Sequence, residues 1–161
     1  MPKANESVPS FEEIAERKGY SPEKIKRKEK NHKDVSHFLK AKGKDGKPLI
    51  LRFEVKPQKN KKRDQDWLWI EFRNARGSPG WIHGQSHFIA FEREKDFIIL
   101  NRKELLSWIG SCGKIRYDLP FVGLAKLAKY RIYRRKGHKE EITQINLEDL
   151  SKLKSLQIWE K

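Results

Sequence analysis

Apolar and polar residues alternate along two stretches of this chain, Leu49 to Lys56 and Trp67 to Asn74. Such alternation predicts strands with one buried face. In the first stretch Leu49, Leu51, Phe53 and Val55 share a face, and Arg52, Glu54 and Lys56 share the other. In the second, Leu68, Ile70 and Phe72 lie together, with Glu71 and Arg73 opposite. The two stretches are expected to pair as the arms of a β-hairpin. Aligning their apolar sets brings Glu54, Lys56, Glu71 and Arg73 onto one face. Residues 57–66 join the arms, and ten residues is long for a hairpin loop.

Elsewhere the pattern changes period. Ser10 followed by Glu13 fits a capping box, which predicts a short helix to about Lys18, stopped by Gly19. Ser21-Pro22 marks a second helix start. That helix runs past Lys30 to Leu39 or breaks near Asn31, with Ile25, Val35, Phe38 and Leu39 as a thin apolar stripe. Asp45-Gly46 is a turn signal. After glycines 77, 80 and 84, strands are predicted around 88–92 and over 97–100. Asn101, with Glu104 three residues on, predicts a capped helix over 102–109, ended by Gly110 and Gly113. Residues 130–135 alternate and read as a strand, 141–147 as its partner, and 147–156 as a short helix. The order predicts one α/β or α+β domain over 1–161: a central mixed sheet flanked by helices. It divides into an N-terminal helical part (10–40), a sheet-and-helix core (49–110), and C-terminal strands and helix (126–161).

Composition narrows the class. The 161 residues suit one core, with 36% hydrophobic residues against 37% charged ones. No apolar run approaches the ~20 residues of a membrane span. The start, Met-Pro-Lys-Ala-Asn-Glu, lacks the apolar centre of a signal peptide. Cys112 is alone, so neither an internal disulfide nor a Cys-cluster zinc site is available, which fits a reducing cytoplasm. The formal charge is +15, and residues 17–63 carry 18 Lys/Arg against 5 Asp/Glu. That asymmetry predicts a polyanionic partner, nucleic acid above all. Lys59, Lys61, Lys62 and Arg63 crowd the joining loop, where they are placed to grip phosphates. A second cluster, with Lys126, Lys129, Arg131, Arg134, Arg135, Lys136 and Lys139, is interleaved with Tyr130 and Tyr133, a mixture suited to backbone contacts and stacking.

Paired acids beside cations suggest phosphodiester chemistry. A divalent ion polarises a phosphoryl oxygen and lowers the pKa of a water. Hard cations such as Mg²⁺ take carboxylate oxygens. Acids on neighbouring strands sit ~5 Å apart, or ~7–8 Å on a diagonal, close enough to share one ion. A neighbouring Lys or Arg positions water or offsets developing charge.

Three stretches carry a family resemblance: Arg-Phe-Glu-Val-Lys-Pro-Gln-Lys from 52, Trp-Leu-Trp-Ile-Glu-Phe-Arg-Asn from 67, and Gly-Trp-Ile-His-Gly-Gln-Ser-His-Phe-Ile-Ala-Phe-Glu from 80. Together they resemble the PD-(D/E)XK nuclease superfamily, in particular small phage-encoded and homing-type endonucleases. The resemblance covers roughly Leu49 to Leu106, with a looser likeness at 129–137. It implies a restriction-endonuclease-like core and Mg²⁺- or Mn²⁺-dependent endonuclease activity. It also implies a double-stranded DNA partner and a possible homodimer, since duplex cleavage needs two sites. It puts Glu54 at the first metal-binding acid, Glu71 at the second, and Arg73 in the place of the motif lysine, with Lys56 able to substitute.

The chain departs from the pattern at three places. The first acid is Glu rather than Asp, Arg73 does not readily exchange a proton, and His87 stands where an acid is expected. A second alignment reads Glu54-Val55-Lys56 as the literal Glu-x-Lys, with Asp45 or Asp34 upstream. The first is preferred because Asp45 lies in a glycine turn and Asp34 on a predicted helix. Either Glu13 or Glu16 could add an acid from the first helix. The departures define an alternative function: a non-catalytic nucleic-acid-binding protein on a degenerate nuclease fold. His83 and His87, four apart around Gly84, lack the helix that would make them a zinc pair. Gly77-Ser78-Pro79-Gly80 is not a phosphate-binding P-loop, because no Gly-Lys-Ser/Thr follows. Trp67 and Trp69 are expected to be buried by the first helices.

Overall fold

A computed structural model describes residues 8–26, 34–58 and 65–161. Helix α1 (Phe11–Arg17) begins where the capping box places it: the Ser10 side chain accepts a hydrogen bond from the Glu13 N–H. Gly19, with φ of +93°, turns the chain out of the helix. Four strands follow: β1 (Ser21–Lys24), β2 (His37–Lys42), β3 (Pro48–Lys56) and β4 (Trp67–Arg73). Next come a single 3-10 turn at Trp81–His83, β5 (Phe88–Glu92), β6 (Asp96–Asn101) and α2 (Arg102–Ser111). Strands β7 (Glu141–Asn146) and β8 (Gln157–Glu160) complete the chain.

The fold is mixed α/β. Six strands form one sheet in the order β1-β2-β3-β5-β6-β8, antiparallel except where β3 runs parallel to β5. Strands β4 and β7 form a separate antiparallel pair. Side-chain alternation sends the large sheet's residues to two cores. Phe53, Phe97, Ile99 and Trp159 pack with Phe11 and Ile14 of α1. On the other face Ile89, Ile98 and Leu100 pack with Leu105 of α2 and with Ile70 and Ile145 of the β4–β7 pair. Since Leu51, Phe53 and Val55 belong to the α1 side, Arg52, Glu54 and Lys56 face the side of β4.

Several expectations are corrected. The two alternating stretches are both strands, but not a hairpin: β3 pairs with β2 and β5, and β4 pairs with β7. The long connection frees β4 to lay Leu68 and Ile70 on the face of the large sheet instead of extending it. The second predicted helix is not found among the described residues, so their 10–40 segment is helical only in α1. Ser21–Lys24 and His37–Lys42 are paired strands, and His37 to Lys40 alternate buried and outward. Pro22, lacking an N–H, sits in an edge strand where none is needed on the outer side. Residues 130–135 make isolated bridges only, at Arg131 and Tyr133, and Tyr130, with φ of +56°, is not extended. The predicted helix over 147–156 is one 3-10 turn, Leu147–Leu150, ahead of β8. Gly110 lies inside α2, whose end comes at Cys112 and Gly113. No helix among the described residues is long and apolar enough to cross a membrane.

Candidate active site

Glu54 points from β3 into a crevice closed by β4 and the Trp81–His83 turn. Burial pushes its carboxyl above the ordinary range. The Lys56 ammonium, two residues along the same face, pulls it back; Asp34 pushes it up; a hydrogen bond with the Ser36 side chain favours ionisation; Glu71 opposes it. Two carboxyl groups, Asp34 and Glu71, and one lysine, Lys56, therefore act on Glu54.

The backbone explains how they meet. Asp34 has φ of +56°, a left-handed conformation rare for residues other than Gly, Asn and Asp. It precedes β2, beside the end of β3 that carries Glu54, since Ser36 N–H donates to the Phe53 carbonyl. Asp34 Oδ2 is buried without a hydrogen-bond partner among the described residues. Beyond β4, Asn74 and Gly77 turn the chain back so that Gly80 N–H donates to the Phe72 carbonyl. A Cβ on Gly80 would come within 2.3 Å of the Glu71 carbonyl oxygen and 2.7 Å of its Cγ. A Cβ on Gly84 would come within 2.7 Å of Asp34 Cβ. The two glycines flanking the 3-10 turn are thus pressed against two of the three acids. Trp81, buried between them, receives Lys56 Nζ at 5.4 Å from its ring centre.

A second layer holds Glu54 from behind. Ser36 Oγ accepts the Val55 N–H at 2.9 Å and lies 2.7 Å from His37 Nδ1. His37, 5% exposed, is 2.6 Å through Nε2 from Glu12 Oε1 of α1. The helix acid that matters is therefore Glu12, which reaches His37 and not the crevice; Glu13 and Glu16 are exposed.

The structure sorts the predicted residues. Glu54, Lys56 and Glu71 are brought together. The Arg73 guanidinium donates to the Gly77 carbonyl at 2.9 Å and lies 3.5 Å from Glu141, past a bulge in the β4–β7 register. Asp45 stays in its glycine turn, accepting the Lys47 N–H. Asp34, the upstream acid of the second alignment, and Glu71, the second acid of the first, both act on Glu54. Trp67 and Trp69 are covered edge-on by Tyr130 and Tyr133, not by the first helices.

Of the expected phosphate contacts, Lys59, Lys61, Lys62 and Arg63 lie outside the described residues. Arg131 donates to the Pro120 carbonyl, Arg134 pairs with Glu141 over the Phe121 ring, and Arg135 pairs with buried Glu140 at 2.6 Å. Lys136 is exposed. Sequence reasoning passes over Ser36 and Glu12, and its basic neighbours place His37 at the surface or near phosphate, whereas the fold buries it against Glu12.

Carboxylate oxygens are the donors a hard divalent cation takes, and one of them, Asp34 Oδ2, is buried and unpartnered among the described residues. Among the described residues, however, no three His, Cys, Asp or Glu side chains stand grouped tightly enough to hold a metal ion. Comparison with known families, curated proteins and solved structures finds no match to this chain.

Proposed function

We propose that this protein is a divalent-metal-dependent endonuclease that hydrolyses phosphodiester bonds in DNA, with a PD-(D/E)XK-like site. The observation that carries the reading is the meeting of Asp34 and Glu71 with Glu54 and Lys56 in one crevice. Asp34 and Glu54 would hold Mg²⁺ or Mn²⁺, with Glu71 beside them. The ion supplies polarisation of the phosphoryl oxygen and a more acidic water. Lys56, held over Trp81, offers three N–H donors to the attacking water and to charge growing on the phosphoryl oxygens. Ser36 keeps the Glu54 carboxyl oriented and favours its charged form. Arg73 is left outside the chemistry. The lone Cys112 and the basic charge fit action on nucleic acid in a reducing cytoplasm.

The test is cleavage of supercoiled and linear DNA with Mg²⁺ or Mn²⁺ by wild type, Glu54→Gln, Lys56→Met and Arg73→Gln. Loss of at least about a hundredfold in the first two, with Arg73→Gln near wild type, is expected. Equal activity in Glu54→Gln would sink the site. A second reading, a nucleic-acid-binding protein without cleavage, is motivated by Arg73 and His87, which stand where the resemblance implies a lysine and an acid. It predicts salt-sensitive DNA binding with no cleavage by wild type in either metal.

A further inference from the structure

Beside the acids lies a group of cations with no counter-charge among the described residues. Arg52, two residues before Glu54 on the same face of β3, donates through Nε to the Gln85 carbonyl at 2.7 Å. Arg102, the first residue of α2 and only 9% exposed, donates through Nε to the next carbonyl, Ser86, at 2.8 Å and through a terminal nitrogen to Ile82 at 3.1 Å. Two guanidinium groups are therefore anchored on consecutive carbonyls. His87 sits between them: its Nδ1 accepts the Arg52 N–H at 2.9 Å, and its carbonyl accepts the Arg102 N–H at 2.9 Å. With Nδ1 accepting, the ring proton is on Nε2, which makes His87 a donor as well.

Burial lowers the His87 pKa, and the charges that lower it further are Arg52, Arg102 and Lys103, all cations. Arg102 is likewise disfavoured by burial and by Arg52. None of the ion pairs among the described residues involves Arg52, Arg102 or Lys103. The Ser86 hydroxyl, in a residue 2% exposed, has no hydrogen-bond partner among the described residues. A buried, pre-oriented cation such as Arg102 is costly without an anion to complete it, Arg52 is half-buried and Lys103 exposed beside it, and the planar guanidinium fork suits phosphate.

We propose that Arg52, His87, Arg102 and Lys103 form a phosphate-binding site that takes a backbone phosphate adjoining the one at Glu54 and Lys56. Arg52 and Glu54 are roughly 7 Å apart along the strand, a spacing that puts the two groups side by side on one nucleic-acid strand. The source of the phosphate rests on the nuclease reading; the site itself does not. His87, which breaks the family pattern, becomes a neutral donor to the anion.

The test is titration of the full-length, metal-free protein with inorganic phosphate, followed by calorimetry, and then displacement by a short DNA duplex. Arg52→Gln and Lys103→Gln are compared with Lys44→Gln, which removes an equal charge in the exposed β2–β3 turn. Replacing buried Arg102 would test folding as much as binding, so it is left intact. The expected result is single-site saturation by wild type, weakened about tenfold in the first two variants and unchanged in Lys44→Gln, with the duplex displacing phosphate. Absence of saturable binding, or equal weakening in all three variants, overturns the site. Phosphate bound but not displaced by the duplex overturns the backbone assignment and leaves a free-phosphate site. Phosphate bound as expected by a wild type that cleaves no DNA upholds the site and removes the nuclease reading. Cleavage that depends on Glu54 without phosphate binding does the reverse.

Discussion

Glu54 sits in its crevice with one cation, Lys56, against two further carboxylates, Asp34 and Glu71. Its carboxyl ionises at higher pH in the folded protein than in the unfolded chain. The folded state therefore binds more protons between the two values. Stability is fully present below that window and falls as pH rises through it. Glu54→Gln removes the buried charge and keeps the shape. This substitution is expected to stabilise the protein at pH 8 by about 1 kcal/mol, a rise in melting temperature of roughly 2–4 °C for a chain of this size. The gain shrinks toward zero at pH 4, where Glu54 is itself neutral, while cleavage is lost. Melting curves of the two proteins at both pH values check this; a Glu54→Gln variant less stable than wild type at pH 8 would refute the account of the crevice. At this scale Glu54 and Lys56 are legible in the sequence, because strand alternation needs only local spacing. Asp34 is weighed there but set aside because the pattern places it on a helix; the left-handed φ that it takes beside Gly84 is announced by no local pattern.

Elements carry the acids only if the glycine-flanked turn after β4 stays close. A methyl group on Gly80 meets the Glu71 backbone, which cannot swing away as a flexible side-chain tip could. Gly80→Ala is expected to cost about 1–3 kcal/mol, read from the urea midpoint, and to reduce cleavage by moving Glu71. Gly110→Ala is the control: its added Cβ meets nothing within 4 Å, inside a helix that favours alanine. Helix α2 makes a second link. Its Asn101 side chain accepts the Glu104 N–H, but Glu104 does not complete a capping box. Its carboxylate instead accepts the Ser155 N–H at 2.9 Å, tying α2 to the turn before β8. The Ser155 hydrogen bonds hold Glu104 below the ordinary carboxylate range. Its contribution is therefore present above the unfolded-chain value and lost as pH falls through the lower, folded one. Glu104→Gln should cost about 1 kcal/mol near neutral pH, with no difference from wild type in strong acid, as followed by chemical denaturation. A helix start is readable from Asn101 and its spacing to Glu104. The use of Glu104 is not, because its partner lies 51 residues away. The same limit hides the pairing of β4: alternation identifies a strand, whereas its neighbour is chosen by where Leu68 and Ile70 find a core.

Across the whole molecule, a net charge of +15 overstates what faces a polyanion. Arg134 and Arg135 read as phosphate contacts in the sequence, yet each is paired with a glutamate in the fold. Glu140, 5% exposed on its side chain, depends on Arg135 for compensation, and its carboxyl is held below the ordinary range by that hydrogen bond against the pull of burial. Lys126 and Lys136 are exposed and make none of the ion pairs among the described residues. Counterion release separates the two kinds of cation, because only a charge that neutralises a phosphate contributes to the salt slope of binding. Arg134→Gln with Arg135→Gln should leave the slope of log affinity against log salt unchanged. That pair should destabilise the fold by about 1–3 kcal/mol, since Glu140 is left buried without its cation. Lys126→Gln with Lys136→Gln should do the opposite: no change in stability, and a slope shallower by about 0.9 for each lysine that meets a phosphate. Fluorescence anisotropy on one labelled duplex at several salt concentrations, alongside thermal melts of all three proteins, reads both quantities. A shallower slope in the arginine variant at unchanged stability would mean that its pairs open to bind DNA, and that the basic C-terminal segment, not the Arg52 to Lys56 face of β3, leads the contact.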